Sequence, residues 1–178
     1  MYHEFFQNCC REFKDVIYIS GNHEHYHGDI AKTHERLTSK LDYLSNLHIL
    51  EKEYVTIKDL TFISSTLWTD MNKEDPETLY AVKGYMNDYR IIMDSSEPVH
   101  YRDQIGNFHT RDNHFSPQRS VREHKEMLKV IDDVTKHMGS EKFVVVGHHA
   151  PSKMSTKPRY AGNFMVNGAY SSDLSQFI

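Results

Sequence analysis

Cysteine is nearly missing from the 178 residues: there are two, and they are neighbours, Cys9 and Cys10. Adjacent cysteines on a helix point to different faces, and a bridge between them would be strained. That argues against a disulfide framework, and both are read as reduced thiols in a cytoplasmic protein. Long apolar runs are missing too. No stretch approaches the roughly 20 apolar residues of a membrane span, and Tyr2-His3-Glu4 is neither a basic nor an apolar signal-peptide start. Excess positive charge is also lacking. Lys and Arg number 21 against 25 Asp and Glu, for a formal charge of −4, which argues against a general binder of nucleic-acid backbone. Tryptophan occurs once, as Trp68, and is read as core. No internal repeat or low-complexity tract is visible.

What remains describes one soluble domain, long enough to bury a core, with a hydrophobic fraction of 38% and a mean hydropathy of −0.67. Histidine is the abundant oddity, with 13 copies. His100, His109, His114 and His124 lie in polar stretches without a partner at ligand spacing, so they are read as solvated surface residues.

Periodicity predicts a helix over 1–13, with Phe5, Phe6, Cys9 and Phe13 as an apolar stripe, then a strand over 16–20. The strand's near-continuous apolar character suits burial on both faces, as in a parallel sheet. A helix is expected over 29–44, with Ile30, Leu37, Leu41 and Leu44 inward, then short strands over 47–50, 54–57 and 60–64. Asp75-Pro76 opens a short helix. Residues 94–115 show no period and are expected to form a long loop. Ser116-Pro117 is an N-cap and first-turn pair for the clearest helix, with Val121, Met127, Leu128, Ile131 and Val134 on one side and Gly139 as its stop. A second buried strand is expected over 142–146, and an irregular segment over 150–169. Ser171-Ser172-Asp173 signals another helix start, continued by Leu174, Phe177 and Ile178. The unfinished stripe at the end, and the missing strand before the first helix, suggest an α/β domain lacking structure at both ends.

Two strand ends carry the chemistry. Val16-Ile17-Tyr18-Ile19-Ser20 runs into Gly21-Asn22-His23-Glu24, and Phe143-Val144-Val145-Val146 runs into Gly147-His148-His149-Ala150-Pro151. In open α/β sheets, ligands bind at such carboxyl edges, and Asn oxygen and imidazole nitrogen both suit a divalent transition metal. His23-Glu24-His25-Tyr26-His27 also matches the H-E-x-x-H pattern of zinc proteases. That pattern needs a helix, and Gly21 and Gly28 bracket a turn instead. A three-His set (His23, His25, His27) on one strand face is a further geometric possibility.

Taken together, G-N-H-E after one strand and G-H-H-x-P after another resemble the third and fourth motifs of the calcineurin-like metallophosphoesterases. Thr66-Leu67-Trp68-Thr69-Asp70 and Met86-Asn87-Asp88-Tyr89-Arg90 are similar to small bacterial and phage members, and the resemblance covers essentially the whole chain. It implies an α/β/β/α sandwich, truncated at both ends here, in a single incomplete domain over 1–178. It implies a dinuclear site of divalent ions (Mn, Fe, Zn or Ni) that hydrolyses phosphate mono- or diesters. Asn22 and His148 would be metal ligands, with His149 a less certain one. His23 would contact the phosphoryl group and protonate the leaving oxygen, and Glu24 would support His23. Apart from the resemblance, Arg90 could touch a substrate phosphate, with a surface or loop-bracing position the plainer role.

The departures matter as well. The family's D-x-H and G-D-x-x-D motifs precede G-N-H-E, and its G-H-x-H motif follows the last helix; none of them is present here. Two neutral ligands without a bridging carboxylate should hold a divalent ion weakly. Two functions therefore stand side by side: a phosphoesterase fragment, weak or inactive alone, or a catalytically dead module that binds a partner or a second copy through an exposed sheet edge. Tyr26 and Tyr89 could stack on a base, with packing the plainer role. Lys153, Lys157 and Arg159 form a basic loop that could attract a phosphorylated substrate, with solvation the plainer role.

Overall fold

The computed structural model describes residues 2–138 and 142–177. Gly139 and Ile178, which the sequence reading used as a helix stop and the end of a stripe, lie outside the described residues. The described chain is mixed α/β.

Helix α1 (Tyr2–Glu12) leads into β1 (Val16–Tyr18). Phe6 of α1 is buried and meets Tyr18 edge-on, ring centroids 4.7 Å apart. Phe5 and Phe13 are exposed, so the expected stripe is narrower than the spacing implied. A 3-10 turn (Asn22–His25) follows β1. Asp29 then caps α2 (Ile30–Leu41) by accepting the Ala31 N–H at 3.1 Å. Helix α2 returns the chain to β2 (Leu47–Ile49), parallel to β1 with Val16 opposite Leu47.

Strands β3 (Glu53–Ile57) and β4 (Leu60–Ser65) form an antiparallel hairpin. After β4 comes α3 (Met71–Glu74), a single turn whose four residues all have left-handed φ, 51° to 62°. Such a turn costs about 1–2 kcal/mol per residue. It is held by Asn72, whose Nδ2 donates to Thr78 Oγ1 at 3.0 Å and to the Phe164 carbonyl at 3.1 Å. Helices α4 (Pro76–Tyr85) and α5 (Asp88–Ile91) follow. Asp75 caps α4 through the Thr78 N–H.

Residues 94–115 are not a loop. They fold almost entirely as a hairpin of β5 (Met93–Arg102) and β6 (Phe108–His114), with a register shift between Asp94 and Val99. Most of β6 and the outer end of β5 are exposed, so no apolar alternation marks the hairpin. Its turn signal is Gly106 at φ +93°.

Helix α6 (Pro117–His137) begins where Ser116 accepts the Arg119 N–H at 3.1 Å. Met127, Ile131 and Val134 pack on Ile63 of β4, while Val121 joins Trp68, Val82, Ile92 and Phe115 in a second core cluster. Each such burial contributes roughly 1.5–3 kcal/mol. His124, expected on the surface, lies inside this interface; it is 1% exposed, and Nδ1 donates to the Leu67 carbonyl at 2.9 Å. Strand β7 (Phe143–Gly147) joins β4 in parallel, giving the order β3-β4-β7. Neither strand that leads to a motif is buried on both faces. All three residues of β1 are half-buried, and Val144 and Val145 are 37% and 45% exposed. Two 3-10 turns (Lys153–Ser155, Pro158–Tyr160) and the short helix α7 (Phe164–Asn167) follow.

No helix starts at Ser171. Ser171 bridges Ala150, and the Leu174 N–H goes to the Pro151 carbonyl at 2.9 Å. Asp173 accepts the Ser175 N–H in a local turn instead. Among the described residues no helix is long and apolar enough to cross a membrane.

Candidate functional site

Strands β1 and β7 belong to different sheets, yet the loops that follow them meet. Thr66, just past β4, joins them. Its hydroxyl donates to the Ser20 carbonyl at 2.9 Å, and its own carbonyl accepts the His149 backbone N–H at 3.2 Å. Across this joint the His148 Nε2–H donates to Asn22 Oδ1 at 3.0 Å, between residues 126 positions apart in the sequence. Gly21 permits the approach. A Cβ there would lie 2.8 Å from His148 Cε1, with no room for it.

The Asn22 amide is oriented from behind. Its Nδ2 donates to Asp88 Oδ1 at 2.7 Å, and the Tyr26 hydroxyl donates to Asp88 Oδ2 at 3.2 Å. A carboxylate accepts only, so it turns the amide nitrogen inward and leaves the oxygen facing His148. Burial, with Asp88 second, pushes the Tyr26 phenol up to about 12, so it stays a donor.

These groups open on a cavity of about 850 Å³, lined among others by Asn22, His23, Tyr26, Asp88, His148 and Tyr170. His23 is exposed and tilts against the Tyr26 ring at 4.4 Å between centroids. Behind His149, the member of the group that lines the cavity, lies a buried aromatic stack. Trp68 stacks between His149 (5.1 Å) and His25 (6.0 Å). Burial lowers both imidazoles from the usual 6.5 to about 4; for His149 the Thr66 carbonyl partly opposes it, and for His25 Glu24 does. The two imidazoles are therefore uncharged at neutral pH.

Asn22, His23 and His148, named from the sequence, share this cavity. Glu24 lines it too, but its Oε2 takes the Gly21 N–H at 2.7 Å. It braces the turn as a whole, not the His23 ring. His149 belongs mostly to the stack: Nδ1 donates to the Thr66 carbonyl at 3.1 Å. Arg90 is exposed and does not line the cavity; the residue of that segment that reaches the site is Asp88. The Met86–Arg90 stretch was visible in the sequence, but only a contact 66 positions away gives Asp88 its part.

The H-E-x-x-H reading fails on geometry. The turn over Asn22–His25 is 3-10 and breaks at Tyr26, and His27 has φ +56°, with its N–H bonded to the Ile91 carbonyl. His23 and His27 therefore share no α-helical face, and the same turn removes the strand that a His23, His25 and His27 set would need.

A divalent ion accepts Asn oxygen and His nitrogen at about 2.0–2.2 Å, which sets two neighbouring donors about 3.0–3.4 Å apart. The Asn22–His148 spacing of 3.0 Å fits that requirement. Among the described residues no group of three or more His, Cys, Asp or Glu converges as a metal cage.

No family model matches the sequence, and no solved structure matches the chain. A relative is an uncharacterized protein of Acanthamoeba polyphaga mimivirus, 26% identical over 94 residues. The match spans 50% of this chain and 32% of that protein, so the chain covers about a third of the relative's length.

Proposed function

We propose that the chain carries one half of a dinuclear phosphoesterase centre, in a partial α/β/β/α sandwich of the calcineurin-like type. The observation that carries this reading is the Asn22–His148 pair, hydrogen-bonded at 3.0 Å and open to a cavity that His23 also lines, where an ion would take the place of the Nε2 proton. Asn22 and His148 would hold the ion. A divalent ion there would polarise a phosphoryl oxygen and lower the pKa of a bound water. Asp88 keeps the Asn22 oxygen presented. His23, at the open side, contacts the phosphoryl group and passes a proton to the departing oxygen. With two neutral donors the ion is held weakly, and turnover by this chain alone is slow.

A second reading rests on β7. It is an edge strand with Val144 and Val145 exposed, paired among the described residues only with β4. Such an edge suits a partner strand, and the fold would then act as a binding module.

Orthophosphate titration with and without Zn2+, followed by NMR, separates the two. The first reading expects the His23 ring signals to shift on phosphate addition only when Zn2+ is present, and not in His148→Ala. Shifts independent of Zn2+, or preserved in His148→Ala, would contradict it.

A further inference from the structure

Beside the first cavity lies a second, of about 630 Å³, framed by the turns after β7 and by α7. Tyr170 lines both, so the two adjoin. The wall between them follows directly from the His148-His149 pair, because the Ala150 N–H bonds the Tyr170 carbonyl at 3.1 Å.

The second cavity differs in charge from the rest of the molecule. Residues 150–178 contain Lys153, Lys157 and Arg159 against Asp173 alone, in a chain of net charge −4. Lys153 is committed to structure: Nζ donates to Asn72 Oδ1 at 2.9 Å and to the Ser171 carbonyl at 2.7 Å. That clamp ties the base of the loop to α3 and sets the cavity's shape before any ligand arrives. Lys157 and Arg159 line the cavity. Every ion pair among the described residues lies elsewhere, so neither has a carboxylate at bonding distance. The Arg159 guanidinium is held over the Tyr160 ring, 4.7 Å from its centroid. Two cations without carboxylate partners, one of them pinned on an aromatic face, select an anion. A guanidinium fork in particular fits a phosphate.

We propose that this second cavity binds a phosphate carried on the alcohol part of the substrate, so that the class of substrate is a bisphosphorylated ester rather than a simple monoester. This rests on the phosphoesterase reading for the position of the scissile group, but the anion site stands on its own residues. One phosphate sits at His23 and the Asn22–His148 pair. The other sits across Tyr170, at Lys157 and Arg159. A small nucleoside bisphosphate and a dinucleotide with a terminal phosphate both present that chemistry.

The experiment uses the full chain in two arms. In EDTA, orthophosphate binding is followed by the backbone amide shifts of Lys157, Arg159 and Tyr160. The wild type is expected to bind saturably, and the Lys157→Ala/Arg159→Ala variant at least tenfold more weakly, with Arg159→Lys in between. Both side chains are exposed, so the double variant keeps its fold. With Zn2+, adenosine 3′,5′-bisphosphate is expected to bind at least tenfold more tightly than adenosine 5′-monophosphate to the wild type, and no more tightly to the double variant. A dinucleotide tested alongside with and without a terminal phosphate reports a strand-like substrate if only the terminally phosphorylated form matches the bisphosphate. Phosphate binding in EDTA that is indifferent to the double variant overturns the inference. A bisphosphate advantage that needs no Zn2+ would instead count against the metal half-site and leave the anion site standing.

Discussion

The Asp88 carboxylate takes the Asn22 side-chain N–H at 2.7 Å, and this one bond decides which atom of the amide faces His148. Without it, oxygen and nitrogen could exchange places by a half-turn of the amide, and only the oxygen is a metal donor. A second bond, from the Tyr26 hydroxyl, makes the carboxylate a fixed point shared by two elements of the site.

Asp88→Ala is therefore expected to act twice. It leaves the Asn22 amide nitrogen and the Tyr26 hydroxyl unpaired in a part-buried setting, at a cost of about 1–3 kcal/mol. It also weakens divalent-metal binding by about 10–100-fold, as loss of an orienting partner does. Urea unfolding and calorimetric Mn2+ titration of the same variant measure the two effects.

Gly21→Ala tests the packing of the His148 ring. The backbone there has φ −91°, open to any residue, so the effect is steric alone. The new methyl would stand 2.8 Å from His148 Cε1 and must displace the ring. The expected outcome is a stability loss of about 1–3 kcal/mol from overpacking, together with loss of the Asn22–His148 contact in the NMR spectrum.

His25 is 4% exposed, and neither ring nitrogen has a partner in the protein. Its pKa falls from 6.5 to about 4, chiefly through burial. Below pH 6.5 the unfolded chain takes up the proton first, so His25 costs stability as pH falls from about 6.5 to about 4, on the order of 3 kcal/mol across the window. His25→Phe is expected to match the wild type at pH 7 and to exceed it increasingly toward pH 4. Denaturant midpoints at pH 7, 5.5 and 4.5 check this; a constant difference would refute it.

Glu51 has the opposite slope. Burial raises its carboxyl from 4.5 to about 7, against its hydrogen bonds with Thr66. Its stabilising contribution is full below pH 4.5 and is lost as pH rises through about 7. Glu51→Gln keeps the acceptor and removes the titration. Relative to the wild type it is expected to gain on the order of 3 kcal/mol between pH 4 and pH 8. Thermal melts of both proteins across that range report the gain.

The parts of this molecule that could be read in the sequence are those with local causes. Ser116-Pro117 and Asp75-Pro76 announce helices because the cap acts within one turn. Gly21-Asn22-His23-Glu24 and Gly147-His148-His149 announce a site because each follows an apolar run. What escaped depends on distant partners or lacks a periodic mark. In the β5–β6 hairpin, most of β6 and the outer end of β5 are exposed, and the half-buried positions of β5 include Ser95 and Glu97, so no apolar alternation marks it. His124 looks like a surface histidine until the Leu67 carbonyl meets it from 57 positions away. Ser171-Ser172-Asp173 carries a helix-start composition, but the chain there pairs with Ala150 and Pro151 instead. Asp88 sits in a segment that drew notice, yet its own task lies across the fold, at Asn22.

The most direct measurement is site-resolved Mn2+ binding. With the chain isotopically labelled, sub-stoichiometric Mn2+ should broaden the Asn22 side-chain amide and the His148 ring first, then His23, and this selectivity should vanish in both Asn22→Ala and His148→Ala. Broadening centred on other histidines, such as His109 or His137, or unchanged in those variants, would contradict the account.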